Sequence, residues 1–141
     1  MLGCGRNDAA DYREKGNELC REALQRARDI PLPRSPDGVA DYLEQIVETT
    51  SEYDDDFAAL DPPQELEELH REAVRQNERA EPIFRRVIRR IRDAPDQLAA
   101  LRREFRRLAP FIDENERTLK KLGLDECGET GLPGGDQPAP S

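Results

Sequence analysis

Leu98, Leu101, Phe105, Leu108, Ile112, Asn115, Leu119 and Leu122 follow one another at alternating intervals of three and four residues. Each step returns to the same face of a 3.6-residue helix, and a strand would scatter these side chains over both of its faces. A helix with so long a stripe needs partners to bury it. The rest of the chain supplies three. The first, from Asp8 to Asp29, carries Tyr12, Gly16, Leu19, Cys20, Ala23, Leu24 and Ala27. The second carries Val39, Tyr42, Leu43, Ile46, Val47, Thr50, Tyr53, Phe57 and Leu60. Along the third lie Leu66, Leu69, Ala73, Ala80, Ile83, Val87 and Ile91.

Prolines punctuate these stripes. Ile30-Pro31-Leu32-Pro33 ends the first, because proline lacks a donor and restricts the residue before it. Ser35-Pro36-Asp37 reads as an N-cap followed by proline at the first helical position. Asp61-Pro62-Pro63-Gln64 reads as an Asp cap, two prolines in the first turn and Gln three residues after the cap. Asp93-Ala94-Pro95 turns the chain into the last helix. Connections this short make neighbours antiparallel, so the expected fold is all-α, an up-down-up-down four-helix bundle over residues 8–128. Pro82 and Pro110 fall inside the third and fourth helices and either bend or split them. Residues 1–7 form an N-terminal anchor or linker segment. The Gly/Pro-rich stretch 129–141 cannot bury itself and is expected to be disordered. At 35% hydrophobic and 5% aromatic, with no Trp, the chain is lean for a sheet sandwich but ordinary for a bundle with three positions in seven facing inward.

Three cysteines bear on the compartment. In a reducing cytosol Cys20 is a small buried hydrophobe and Cys127 an exposed thiol. In an oxidising compartment they pair. The pairing has a geometric condition. Cys20 lies about 18 Å above the start of its helix, and the five residues from Gly123 to Cys127 span at most about 17 Å. The segment must therefore double back along the bundle, and Gly123 after Leu122 permits the left-handed turn this requires. Leu2-Gly3-Cys4 matches the end of a bacterial lipobox, where a small residue precedes the acylated cysteine. No charged segment with a 7–15 residue apolar run precedes it, so lipidation requires Met1 to lie within a longer precursor. No stretch approaches the roughly 20 apolar residues of a membrane span.

Leu2-Gly3-Cys4-Gly5, then Tyr12, Gly16-Asn17 and Cys20, then Leu122-Gly123-Leu124 with Cys127-Gly128, resemble the small uncharacterised helical lipoproteins of high-GC actinobacteria. The resemblance covers most of the chain and rests on short motifs. It implies a mature, lipidated N-terminus at Cys4, a Cys20–Cys127 pair, and a location on the extracytoplasmic face of the membrane. It implies no activity.

Catalytic patterns are wanting. Glu67 and His70 form a Glu-x-x-His, but a di-iron bundle needs that motif twice and His70 is the only histidine. The pair is expected on a solvated face. Three dispersed cysteines and one histidine do not make a zinc site. Ser35 reads as a cap, Ser51 sits on the second helix, and Gly134-Gly135 precedes no helix. The run Asp54-Asp55-Asp56 is expected to be a solvated helix face. No catalytic residue, metal or cofactor is expected.

Charge is segregated. Asp41 to Glu68 holds eleven acidic residues and no Lys or Arg, whereas Arg79 to Arg107 holds ten arginines against four acidic residues. Arg85, Arg86, Arg89, Arg90, Arg102, Arg103, Arg106 and Arg107 concentrate near the tip of the hairpin formed by helices three and four. They either pair with acidic neighbours on helices one and two or hold an anionic partner. A net charge of −9 and the lack of aromatics among the arginines argue against nucleic acid. The N-terminus and the basic tip lie at opposite poles, so an anchored chain points its arginines away from its own membrane. An unknown protein or an anionic envelope polymer fits better. Asn17, Thr50, Asn77 and Asn115 occupy or border the apolar stripes and are candidate linings of a small pocket. The expected function is thus a non-enzymatic binding or scaffold module of the cell envelope. The alternative is a cytosolic helical regulator whose arginine-rich hairpin meets nucleic acid or an acidic protein.

Overall fold

A computed structural model describes residues 8–127. Helix α1 spans Ala9–Asp29, α2 Val39–Ala58, α3 Glu67–Asp93 and α4 Gln97–Lys121. Single 3-10 turns at Pro36–Gly38 and Gln64–Leu66 lead into α2 and α3, and a third, Asp125–Cys127, follows α4. No strand occurs among the described residues. The fold is an antiparallel four-helix bundle. Cys4 and the stretch 129–141 lie outside the described residues.

Two caps work through their side chains. The Asp8 carboxylate accepts from the Asp11 N–H at 2.7 Å, and that of Asp96 from the Ala99 N–H at 3.0 Å. The two proline-rich starts depart from the sequence expectation. Ser35 holds the cap position of its turn but makes no side-chain cap bond; its carbonyl instead accepts from Gly38 at 3.0 Å. Asp61 is not a cap. A residue before proline avoids the helical region, so the chain stays extended through Pro63 and turns two residues later than expected. Neither internal proline splits its helix: α3 runs unbroken through Pro82 and α4 through Pro110. Each ring lies on the exposed side, as do Glu78 and Arg106 four residues earlier, so water can reach the carbonyls left unbonded.

The core has two parts. An upper cluster, near the α1–α2 and α3–α4 connections, joins Val39, Leu43, Ile46 and Val47 of α2 to Val87, Ile88 and Ile91 of α3 and Ala100 and Leu108 of α4. The lower cluster gathers Tyr12, Phe57, Leu66, Ala73, Leu119, Leu122 and Leu124. Leu124 reaches it because α4 ends in a left-handed turn. Gly123 has φ 82°, its N–H bonds the Lys120 carbonyl, and the Leu124 N–H bonds the Leu119 carbonyl, both at 2.9 Å. The chain then doubles back against α1. Gly16 makes room for it, since a Cβ there would stand 2.7 Å from Leu124 Cδ2. Arg13 Nε donates to the Leu122 carbonyl at 3.0 Å, and the Glu126 N–H donates to Asn17 Oδ1 at 3.1 Å.

Candidate functional site

The helices do not close into a full ring. α2 packs on α1 and α3, and α3 on α4, but α1 and α4 face one another without close packing along their lengths. They are joined at the lower pole, by the turn Asp125–Cys127, by the Arg13 bond to the Leu122 carbonyl and by the core cluster that holds Tyr12 and Leu119. The inward residues of α1 explain the gap. Cys20, Ala23 and Ala27 are small and cannot fill the space before Phe105, Ile112 and Asn115 of α4. A cavity of about 220 Å³ results, reaching from the upper core to the lower and bounded by all four helices. Its wall is chiefly apolar: Leu24, Leu43, Ile46, Val47, Phe84, Val87 and Ile112 contribute, with Ala80 at its middle.

The polar residues on this wall are few and placed by the helix period. Thr50, Ser51 and Asp54 of α2 follow one another at one and three residues. Gln76, Asn77 and Glu81 come from α3, and Asn115 and Glu116 from α4. Ser51 Oγ donates to Glu81 Oε1 at 2.9 Å, and Arg85 Nε to Glu81 Oε2 at 3.3 Å; these bonds, the serine's first, hold the Glu81 carboxyl below its usual range. Asp54 has neither a hydrogen bond nor an ion pair among the described residues. Burial, then Glu81 and Asp55, push its carboxyl up to about 7. The expected solvated run at Asp54-Asp55-Asp56 is therefore corrected at its first member: Asp54 is half-buried on the cavity wall, while Asp55 and Asp56 are exposed.

Of the four polar candidates from the sequence, Thr50, Asn77 and Asn115 line the cavity. The Thr50 hydroxyl is turned back to the Ile46 carbonyl at 2.9 Å. Asn17 lies apart, holding the C-terminal turn. Gln76 escaped sequence reading, yet it organises the polar layer. It donates to Thr118 Oγ1 at 3.0 Å and accepts from Asn115 Nδ2 at 2.8 Å, which ties α3 to α4 beside the cavity. Its place one residue before Asn77 was the available signal.

Cys20 and Cys127 stand at disulfide distance, with Cα atoms 5.1 Å apart, at the lower end of the cavity. The Tyr53 hydroxyl lies 3.3 Å from Cys20 Sγ. A disulfide sulfur carries no proton, so the phenol is the donor. Burial, Asp54 and Tyr12 raise the Tyr53 phenol far above its ordinary range.

His70 corrects a second expectation. It is not on a solvated face but 6% exposed. Its ring stacks on Phe57 with centroids 4.9 Å apart and meets Tyr12 edge-on. Tyr12 Oη is 2.8 Å from His70 Nδ1, and the imidazole also bonds the Ala58 backbone. Which of the Tyr12 hydroxyl and His70 Nδ1 donates depends on the imidazole tautomer. Burial lowers the imidazole's affinity for a second proton, with the Ala58 bond partly offsetting it. Glu67 remains exposed. No group of three metal-ligating side chains exists among the described residues.

The basic hairpin is divided. Arg90 holds the buried Glu104 through two bonds, 2.7 and 3.0 Å, Arg107 stands 3.9 Å from the same carboxylate, and Arg85 pairs with Glu81. Arg92 reaches across to Asp41 and Glu44 of α2. Arg86, Arg89, Arg102, Arg103 and Arg106 are exposed and make no ion pair within 4.0 Å among the described residues. They lie near the pole opposite the start of α1. No described helix is long and apolar enough to cross a membrane. Neither a protein-family model, nor a curated protein, nor a solved structure matches the chain.

Proposed function

We propose that the protein is a non-enzymatic binding module of the cell envelope, anchored through Cys4, whose bundle takes one small apolar molecule through the side left open between α1 and α4. The cavity carries this reading. Natural cores pack with few voids larger than water, and an apolar space of roughly 150 Å³ suffices to bind a benzene-sized guest. At about 220 Å³, with one open side, this one suits a ring system or a short hydrocarbon chain. The Cys20–Cys127 pair supports the extracytoplasmic part, since disulfides persist in oxidising compartments.

The neutral probe N-phenyl-1-naphthylamine tests the first part. Its fluorescence is expected to rise and shift to the blue on mixing with the protein. Ala80→Phe, which fills the middle of the cavity, is expected to weaken binding about tenfold or more. A probe that stays dark, or binds both proteins alike, removes the cavity as the site. For the anchor, cells expressing the gene with its upstream sequence are fed an alkynyl palmitate. Label on the native protein that Cys4→Ala abolishes is the expected result, and label that persists in the variant, or no label at all, rejects it.

A further inference from the structure

Apart from the Tyr53 phenol, every titratable group on the cavity wall is acidic: Asp54 on α2, Glu81 on α3, Glu116 on α4 and Glu126 in the closing turn. No Lys, Arg or His lines it, although the chain holds 22 lysines and arginines. Glu81 is engaged by Ser51 and Arg85, and Glu126 by Arg21. Asp54 is the wall carboxylate with no cation beside it among the described residues. We infer that the cavity's ligand is an apolar amine, with its hydrocarbon or aromatic body among Leu24, Val47, Phe84 and Ile112 and its ammonium against Asp54 and Glu81. This rests on the cavity being a binding site, as proposed above.

The chemistry excludes the other head groups. A carboxylate or phosphate would meet Asp54 with no Lys, Arg or His on the cavity wall to receive it. A neutral hydroxyl would gain one ordinary hydrogen bond. An ammonium brings three donors and a charge, and bonds between charged partners are about twice as strong as neutral ones. It would also relieve Asp54, whose ionised form burial and its acidic neighbours disfavour in the empty protein. The charged groups acting on Asp54 are Glu81, which Arg85 pairs on α3, and Asp55 on its own helix; Glu116 of α4 and Glu126, paired with Arg21 of α1, are the other carboxylates of the cavity wall. Arg79 sits over the ring of Phe111, 5.7 Å from its centre, and is not itself among the residues lining the cavity.

Three ligands of equal chain length make the test: n-octylamine, n-octanol and octanoate, each displacing N-phenyl-1-naphthylamine from the full chain. At pH 8 octylamine is expected to displace the probe at about one tenth the concentration of octanol, with octanoate weakest. In Asp54→Asn the amine's advantage should fall below about threefold while octanol is unchanged. In the unaltered protein that advantage should shrink several-fold between pH 8 and pH 6, as Asp54 takes up its proton. Octylamine and octanol displacing alike would overturn the amine inference and leave an apolar site standing. An amine advantage that survives Asp54→Asn undiminished would overturn the role of Asp54. A probe that never binds would instead sink the cavity reading itself.

Discussion

Replacing Cys20 and Cys127 together by alanine is expected to lower the unfolding free energy by about 3–5 kcal/mol, and Tm by about 15 °C. The pair is 107 residues apart. On the chain-entropy account a cross-link closing a loop of about 100 residues removes about 4.7 kcal/mol worth of freedom from the unfolded chain. That is a large share of a typical total of about 5–15 kcal/mol. The folded state has a second reason to need it. With α1 and α4 apart along their lengths, the C-terminal turn helps to join them, and the Cys127 sulfur, Asn17 and Arg21 hold that turn to α1. Urea melts of the oxidised protein, the reduced protein and the double variant give the measurement. Reduced and doubly substituted proteins should agree within about 1 kcal/mol. A loss below about 1 kcal/mol in both would mean that the loop is already restricted in the unfolded chain.

Asp54→Asn should do the opposite, increasingly as pH rises from about 4 to about 7 and fully above that. The folded carboxyl titrates at about 7, against about 3.9 in an unfolded chain. Between those values the folded protein keeps a proton that the unfolded chain has released. Stability therefore stands highest below about pH 4 as far as this group is concerned, falls as pH rises through the window, and levels off above 7. Three pKa units correspond to about 4 kcal/mol; partial exposure of the side chain reduces this to about 2 kcal/mol. The amide carries no charge, so the variant is expected to be about 2 kcal/mol more stable than the parent at pH 8 and equal to it near pH 4. His70 has the reverse dependence, because its lowered proton affinity costs stability as pH falls through about 6.5. It is present in both proteins, so the difference between their urea-derived pH profiles isolates Asp54. A difference constant with pH would show that Asp54 is not buried against the wall.

The four helices were legible because each stripe keeps its period for four turns or more, and long periodic segments tolerate little ambiguity. The pairing of Cys20 with Cys127 was legible on one condition, the reversal of the chain at Gly123, and φ 82° there satisfies it. Local capping was less so: prolines at 62 and 63 delayed a helix that Asp61 had seemed to open. The site was legible in part. Thr50, Asn77 and Asn115 stood out as polar residues within apolar stripes, but Asp54 was hidden in a run of three identical side chains. A helix turns 100° per residue, so only one of those three could face inward, and which one depends on how α2 rotates against α3. His70 was masked in the same way by charged neighbours on α3. The cavity follows from a missing helix–helix contact, and a stripe of small residues on α1 does not say whether its partner comes closer to fill the space.

Seen as a covalent object, residues 20–127 are a closed ring of backbone completed by one sulfur–sulfur bond. All three helix connections lie within that ring, including the α1–α2 link where Leu32 is 69% exposed and Arg34 also faces water. A protease that severs this link frees neither piece. The two fragments remain tethered through Cys20 and Cys127, so one broken peptide bond there does not let the molecule come apart.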